Sequence, residues 1–140
     1  MRVKPMPIKL IITALSLVQL FVGASAAESA SAYIVSPANG AVVSNPITVV
    51  FGLRGPYGVA PAGVVKEATG HHHLLIDTDL PDLSLPIPND EHHLHFGGGQ
   101  TEVVLELAPG KHRLQLLLGD FAHIAHKPPI MSEPIKITVK

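Results

Sequence analysis

The most regular feature of the chain is an alternation of apolar and polar positions. In residues 47–53, the apolar Ile47, Val49, Phe51 and Leu53 recur at a spacing of two. This period is typical of a β-strand with one face on a core. Further strands are predicted at residues 33–36, 41–44, 71–77, 91–96, 101–107, 112–118 and 135–139. No stretch after residue 26 favours a helix, so the pattern predicts an all-β protein.

Turn-forming residues between these strands indicate how they are arranged. Asn39-Gly40, Asn45-Pro46 and Pro109-Gly110 mark tight connections. About seven short strands with such turns predict a single immunoglobulin-like antiparallel β-sandwich over residues 33–140, with a barrel as the alternative. Connections at residues 54–70, 78–90 and 119–134 are long for a small domain, which makes them candidate functional loops.

The first 26 residues follow a different pattern. Basic residues precede an apolar run at residues 10–22, and a small-residue Ala-Ser-Ala sequence ends at Ala26. This order predicts a signal peptide over residues 1–26, followed by a flexible lead over residues 27–32. The apolar run is shorter than the about 20 residues of a membrane span. We therefore expect a periplasmic or secreted protein with no membrane span after cleavage.

Composition narrows the chemistry that is open to such a protein. The 140 residues carry a formal net charge of −1, and loss of the basic leader would leave all 11 acidic residues. A mildly acidic domain is a poor partner for nucleic acid, so none is expected. Because the chain has no Cys, it forms neither disulfides nor thiolate metal sites, and His and carboxylates are the metal ligands that remain.

The histidines are concentrated in three short motifs. All 9 histidines follow Gly70, and eight of them fall in His-His-His, His-His-Leu-His and His-Ile-Ala-His. In a strand, residues two apart point to the same side, so each His-x-His pair can converge on one ion with metal–nitrogen distances of about 2.0 Å. The candidate metal ligands are His71, His73, His93, His95, His123 and His126.

Strand direction predicts that these motifs meet. If consecutive strands alternate in direction, the start of the 71–77 strand, the end of the 91–96 strand and the loop after the 112–118 strand lie at one end of the sandwich. Loops at one end of such sandwiches commonly form binding sites. A copper or zinc ion is therefore expected there, since imidazole binds both.

Other interpretations of the same residues stay open. Surface histidines can be solvated, or they can titrate near pH 6.5 and respond to acidity. His72 points inward by the alternation and suits a semi-buried structural role, and His112 lies alone at the opposite end. The glycines at residues 97–99 are interpreted as a mobile turn.

Long motifs resemble a known bacterial family. Residues 69–77, 93–102 and 114–120, together with His126 and the segment 128–133, closely resemble the family of exported domains of unknown function called DUF4399. The resemblance extends over residues 33–140. It implies that these segments belong together in an exported domain, and because the family has no assigned activity, it implies no catalytic residue.

Three hypotheses of different classes follow. The first is an exported domain that binds a copper or zinc ion at one end of the sandwich. The second is a cell-envelope module that binds a protein or glycan partner, with structural or pH-responsive histidines. The third is a copper-dependent redox enzyme, although the sequence positions no catalytic acid or base.

Overall fold

The computed structural model describes residues 28–140, which form nine β-strands and no helix. The predicted signal peptide, residues 1–26, lies outside the described residues. The described residues, 28–140, therefore include no helix with the length and apolar character needed to cross a membrane. The strands are β1 (Ser31–Ser36), β2 (Val42–Val43), β3 (Ile47–Arg54), β4 (Gly58–Val59), β5 (Thr69–Ile76), β6 (His93–His95), β7 (Glu102–Leu105), β8 (Gly110–Gly119) and β9 (Ile135–Val139).

The all-β prediction is confirmed, and in two places a strand lies in a segment that was predicted to be outside the strands. β1 begins at Ser31, inside the segment predicted as a flexible lead, and Ala32 is buried. β4 lies within the predicted 54–70 connection. A strand of two residues, one of them Gly58, is too short to display an alternation, so the sequence pattern does not reveal it.

The strands form two sheets. One sheet has the order β1-β3-β7, and the other has the order β2-β9-β8-β5-β4, with β6 also paired to β5. β5 pairs antiparallel with β8 along most of its length, and its other edge meets β4 first and then β6. β5 is therefore an interior strand, with hydrogen-bonded neighbours on both edges.

The apolar alternation fills the space between the two sheets. Ile47, Val49 and Phe51 from one sheet are buried in the same cluster as Leu74 and Leu116 from the other. Burying such side chains contributes roughly 1.5–3 kcal/mol each. The predicted inward face of β3 is confirmed at Ile47, Val49 and Phe51.

A second, smaller core covers the outer face of β5 and β8. Leu75 and Leu117 point away from the space between the sheets and pack against Ile87 and Ala125, which lie in two long connections. All eight residues of β5 are consequently buried. The long loops therefore act as a partial third layer, and they keep water away from the outer face of the central strand.

One titratable pair ties β8 to the turn after β5. Nδ1 of His112 lies 2.6 Å from Oδ2 of Asp77, and Nε2 lies 2.7 Å from the carbonyl oxygen of Ala108. Both ring nitrogens face acceptors, so both donate only when the imidazole is protonated. The Ala108 carbonyl and the Asp77 carboxylate accordingly raise the pKa of His112.

We expect His112→Gln to destabilise the fold by about 1 kcal/mol at pH 5.5 and by less at pH 9. A raised pKa in the folded state means that the stabilisation is complete below the unfolded value of about 6.5 and disappears as the pH rises through the folded value. Urea denaturation followed by circular dichroism at both pH values checks this. An equal loss at both would contradict it.

Candidate metal centre

Four imidazoles converge on the covered outer face of the second sheet. They belong to His71 and His73 of β5, His95 of β6, and His123 in the loop after β8. Their ring centres are separated by 4.8 Å (His71–His73), 5.0 Å (His71–His95), 5.0 Å (His71–His123), 5.1 Å (His73–His95), 4.8 Å (His95–His123) and 6.2 Å (His73–His123). We call these four side chains the imidazole cluster.

Strand register accounts for three members of the cluster. His71 and His73 are two residues apart on β5, so their side chains share one face. His95 is the direct antiparallel partner of His73 across the β5–β6 ladder, and directly opposed side chains lie on the same face about 5 Å apart. Two strands thus bring three imidazoles together without any contribution from a loop.

The loop after β8 supplies the fourth imidazole and is held by Asp120. Oδ1 of Asp120 accepts hydrogen bonds from the backbone N–H groups of Ala122 and Ile124, at 2.8 and 2.9 Å. The backbone of His123 is further fixed by its carbonyl, which accepts the N–H of Ile87 at 2.8 Å. His123 has a φ of 67°, a left-handed conformation that costs a residue with a Cβ about 1–3 kcal/mol.

Two glycines make room for the rings. A Cβ on Gly119 would lie 2.7 Å from Cε1 of His73, and a Cβ on Gly97 would lie 2.7 Å from Nε2 of His95. Real side chains do not approach this closely, and neither glycine has a positive φ. Both are therefore required by the volume of the imidazoles rather than by backbone conformation.

The ring nitrogens of the cluster are buried without hydrogen-bond partners in the protein. Both nitrogens of His71 and His73, and Nε2 of His95, have no partner among the described residues. His71 and His73 are 0% exposed. A buried polar group without a partner costs about 1–3 kcal/mol, so five such atoms in one place make the cluster a candidate binding site.

Burial and mutual proximity keep the rings of His71, His73 and His95 neutral. Desolvation, together with the charge that His95 and His123 would carry, lowers the pKa of His71 to about 4. Desolvation, together with the charges that His71, His95 and His123 would carry, lowers the pKa of His73 to about 3. The pKa of His95 is also lowered, mainly by burial. These rings are thus uncharged at neutral pH, the form in which imidazole binds metal ions. A response to mild acidity by these residues is disfavoured.

Three of the imidazoles already offer their nitrogens to a common centre. One ligand atom each from His71, His95 and His123 lies within 4.8 Å of the others. Nitrogens on a tetrahedral Zn²⁺ ion are about 3.3–3.4 Å apart, so each ring would have to move inward by less than about 1 Å. A pocket of about 270 Å³ adjoins the cluster and is lined by His73, Pro86, Ile87, Asn89, His95 and His123.

Comparison with known proteins assigns the chain to a family. The family model described as Domain of unknown function (DUF4399) matches residues 49–140, which is more than half of the chain. The chain belongs to this family. The DUF4399 match contains the whole imidazole cluster, Gly97 and Gly119. The resemblance seen in the sequence began at residue 33, and its residues 33–48 lie outside the match. Searches of curated proteins and of solved structures each returned no match.

Two of the six predicted ligands within the DUF4399 match lie away from the cluster. Nδ1 of His93 lies 2.8 Å from Oδ1 of Asp90, which caps the turn before β6. The ring of His126 packs edge-on against Tyr57 at 5.0 Å, and its buried Nε2 has no partner in the protein. The structure thus brings together His71, His73, His95 and His123 and leaves His93 and His126 outside.

The remaining histidines occupy three different environments. His72 points into the core between the sheets, 5.3 Å from the ring of Phe51, and burial lowers its pKa to about 4. His92 is exposed and lies beside Glu91, and His112 forms the Asp77 pair described above.

The location of the cluster also differs from the expected exposed end of the sandwich. Its members do lie at the start of β5, the end of β6 and just after β8, but on a sheet face beneath the loops. Sequence reasoning missed Gly97, Gly119 and Asn89. Gly97 was interpreted as part of a mobile turn, yet its spacing of two from His95 puts it on the same face, which is a signal that it leaves space for that ring.

We expect Gly119→Ala to destabilise the metal-free protein by about 1–3 kcal/mol, because the new methyl group would displace the ring of His73. Gly58→Ala is the matched control, since a Cβ there meets only Thr69 Cγ2, at an ordinary 3.9 Å. Chemical denaturation in the presence of a chelator measures both. If the two variants lose the same stability, the packing role of Gly119 is wrong.

The strain at His123 is tested by comparing two substitutions that both remove its ring. His123→Gly should be more stable than His123→Ala by about 1 kcal/mol, because only glycine adopts the left-handed backbone without a Cβ penalty. The difference in the free energy of unfolding reports this directly. Equal stabilities would mean that the loop relaxes and stores no strain.

Proposed function

We propose that the protein is an exported metal-binding protein that holds one zinc or copper ion in the imidazole cluster. His71, His95 and His123 supply the ligand nitrogens, with His73 as the neighbouring fourth imidazole. The proposal is carried by one observation, the convergence of four imidazoles, three of which have buried ring nitrogens with no hydrogen-bond partner among the described residues. An ion would satisfy one lone-pair nitrogen on each imidazole that binds it, and a bound ion is one explanation for buried polar atoms without partners.

The separation of the rings supports a common ion. With metal–nitrogen bonds of about 2.0–2.1 Å, imidazole ring centres at the tetrahedral angle lie about 5.2 Å apart. Five of the six separations in the cluster fall between 4.8 and 5.1 Å. The cluster therefore has the dimensions of an imidazole shell around one ion.

The same separations favour zinc over Cu²⁺. In three positions of a square plane, one separation would exceed the other two by a factor of about 1.4, whereas those among His71, His95 and His123 are 5.0, 5.0 and 4.8 Å. A non-planar set suits Zn²⁺, which has no geometric preference from d-electrons. Copper(II) prefers tetragonal sites, although its intrinsic affinity for nitrogen ligands is higher.

The proposal also includes export and a finer fold class. The basic, apolar and small-residue order of residues 1–26 supports export to the periplasm or beyond. Two sheets around a shared apolar core support an immunoglobulin-like β-sandwich as the finer fold class.

A second candidate function is a cell-envelope interaction module. Phe121 and Val65 are 46% and 78% exposed, and the loops that carry them are joined by the hydrogen bond from the N–H of Gly63 to the carbonyl of Phe121. These loops lie beside His123, so an apolar contact surface and the imidazole cluster share one side of the molecule. Exposed apolar side chains of this kind can mark a partner surface.

Metal binding is tested on protein from which any affinity tag has been removed. Wild type should bind one Zn²⁺ per chain by calorimetry and elemental analysis. His95→Ala and His123→Ala should lower the affinity by at least about 100-fold, since each removes a ligand. At a free zinc concentration 100 times the dissociation constant, zinc should stabilise wild type by about 2.7 kcal/mol.

His92→Ala is the matched control, because it removes an exposed imidazole outside the cluster and should leave zinc affinity unchanged. Equal affinities for wild type and the His95→Ala variant would refute the proposal for zinc. The same comparison with Cu²⁺ decides whether the site binds copper instead.

A further inference from the structure

The pocket beside the imidazole cluster reaches only part of it. His73, His95 and His123 line the pocket, whereas His71 does not, although His71 and His73 are equally buried. An ion held by His71, His95 and His123 would therefore have His71 behind it and the pocket in front. One side of its coordination shell would face a space that the protein does not fill.

His73 is placed beside this space rather than among the ligands. Its nitrogens do not belong to the group in which the ligand atoms of His71, His95 and His123 lie within 4.8 Å of one another. The Cε1–Nδ1 edge of its ring lies over Gly119, and its ring centre is 6.2 Å from that of His123, the longest separation in the cluster. Both of its nitrogens nevertheless lack partners in the protein.

We propose that the metal site is open: a fourth coordination position, facing the pocket, takes water or a small monodentate anion that forms a hydrogen bond with His73. The inference rests on the proposed function, because it assigns what the fourth position of that same ion binds. Three protein ligands with an open position are the arrangement of catalytic zinc sites, whereas structural sites are closed by four protein ligands.

The pocket fits a ligand of this class. Its volume of about 270 Å³ is several times the about 30 Å³ that one water molecule takes in the liquid. No Asp, Glu, Lys or Arg side chain lines it; Pro86 and Ile87 form apolar walls, and Asn89 provides an amide. A small anion would thus be attracted by the ion without repulsion from a carboxylate.

Azide binding to the Co²⁺-loaded protein tests the inference. Co²⁺ replaces zinc and reports its ligands through visible absorption. Titration with azide should change the spectrum of wild type saturably, with one azide per ion. His73→Phe keeps a ring of similar size but has no nitrogen; it should retain Co²⁺ and bind azide about tenfold more weakly. His92→Ala should behave as wild type.

The possible failures are distinguishable. If wild type binds Co²⁺ and azide leaves its spectrum unchanged, the site is closed and the inference is wrong. If folded His73→Phe loses Co²⁺, His73 is itself the fourth ligand and the inference is again wrong. If wild type binds no Co²⁺, Zn²⁺ or Cu²⁺, the proposed function fails, and the inference fails with it.

A second variant covers the case in which His73→Phe does not fold. Asn89 is exposed on the pocket wall, so Asn89→Leu should preserve the fold and Co²⁺ binding while narrowing the pocket. We expect weaker azide binding in this variant. Azide affinity equal to that of wild type in every folded pocket variant would place azide outside the pocket and overturn the inference.

Discussion

Removal of water from both faces of β5 is the constraint on which the rest of the structure depends. The inner face of this strand packs against the first sheet, and the outer face is covered by loop residues such as Ile87 and Ala125. An imidazole can be hydrated on an exposed sheet face, but on this strand it must find a partner inside the protein or bind one from outside. The covering loops thus leave the ring nitrogens of His71 and His73 without water, and the neighbouring imidazoles do not form hydrogen bonds with them.

Several local features lower the stability of the fold, and all of them lie at or next to the imidazole cluster. His123 has a left-handed backbone, Gly119 in β8 and Gly97 after β6 leave space that a side chain would fill, and four rings of one kind share a small volume. Natural proteins retain such conflicts mainly at functional sites. The apolar core between the sheets carries no comparable conflict except His72, so the strain is concentrated on the side of the molecule that bears the cluster.

The sequence predicted what short-range periodicity can determine. Alternation identified β3, β5, β8 and β9 and the same-face pairing of His71 with His73, because side-chain direction in a strand depends only on position along it. The double burial of β5 was not predicted, since alternation does not indicate which loop folds over the outer face. Alternation also predicted His93 and His95 as a pair of ligands. It does not indicate that the side chain of Asp90, only three residues before His93, forms a hydrogen bond with the His93 ring.

The ladder between β5 and β6 has a consequence for when the proposed ion would enter. His71 and His95 belong to adjacent paired strands, and His123 follows from a turn pinned by Asp120, so the ligand set is assembled by backbone pairing and needs no ion to organise it. Small zinc domains that fold around their metal acquire it during chain collapse. Here the domain would fold before it binds the ion. The ion would then enter from solvent through the pocket wall that carries Asn89, and the local concentration of the ion, rather than folding, would determine when it binds.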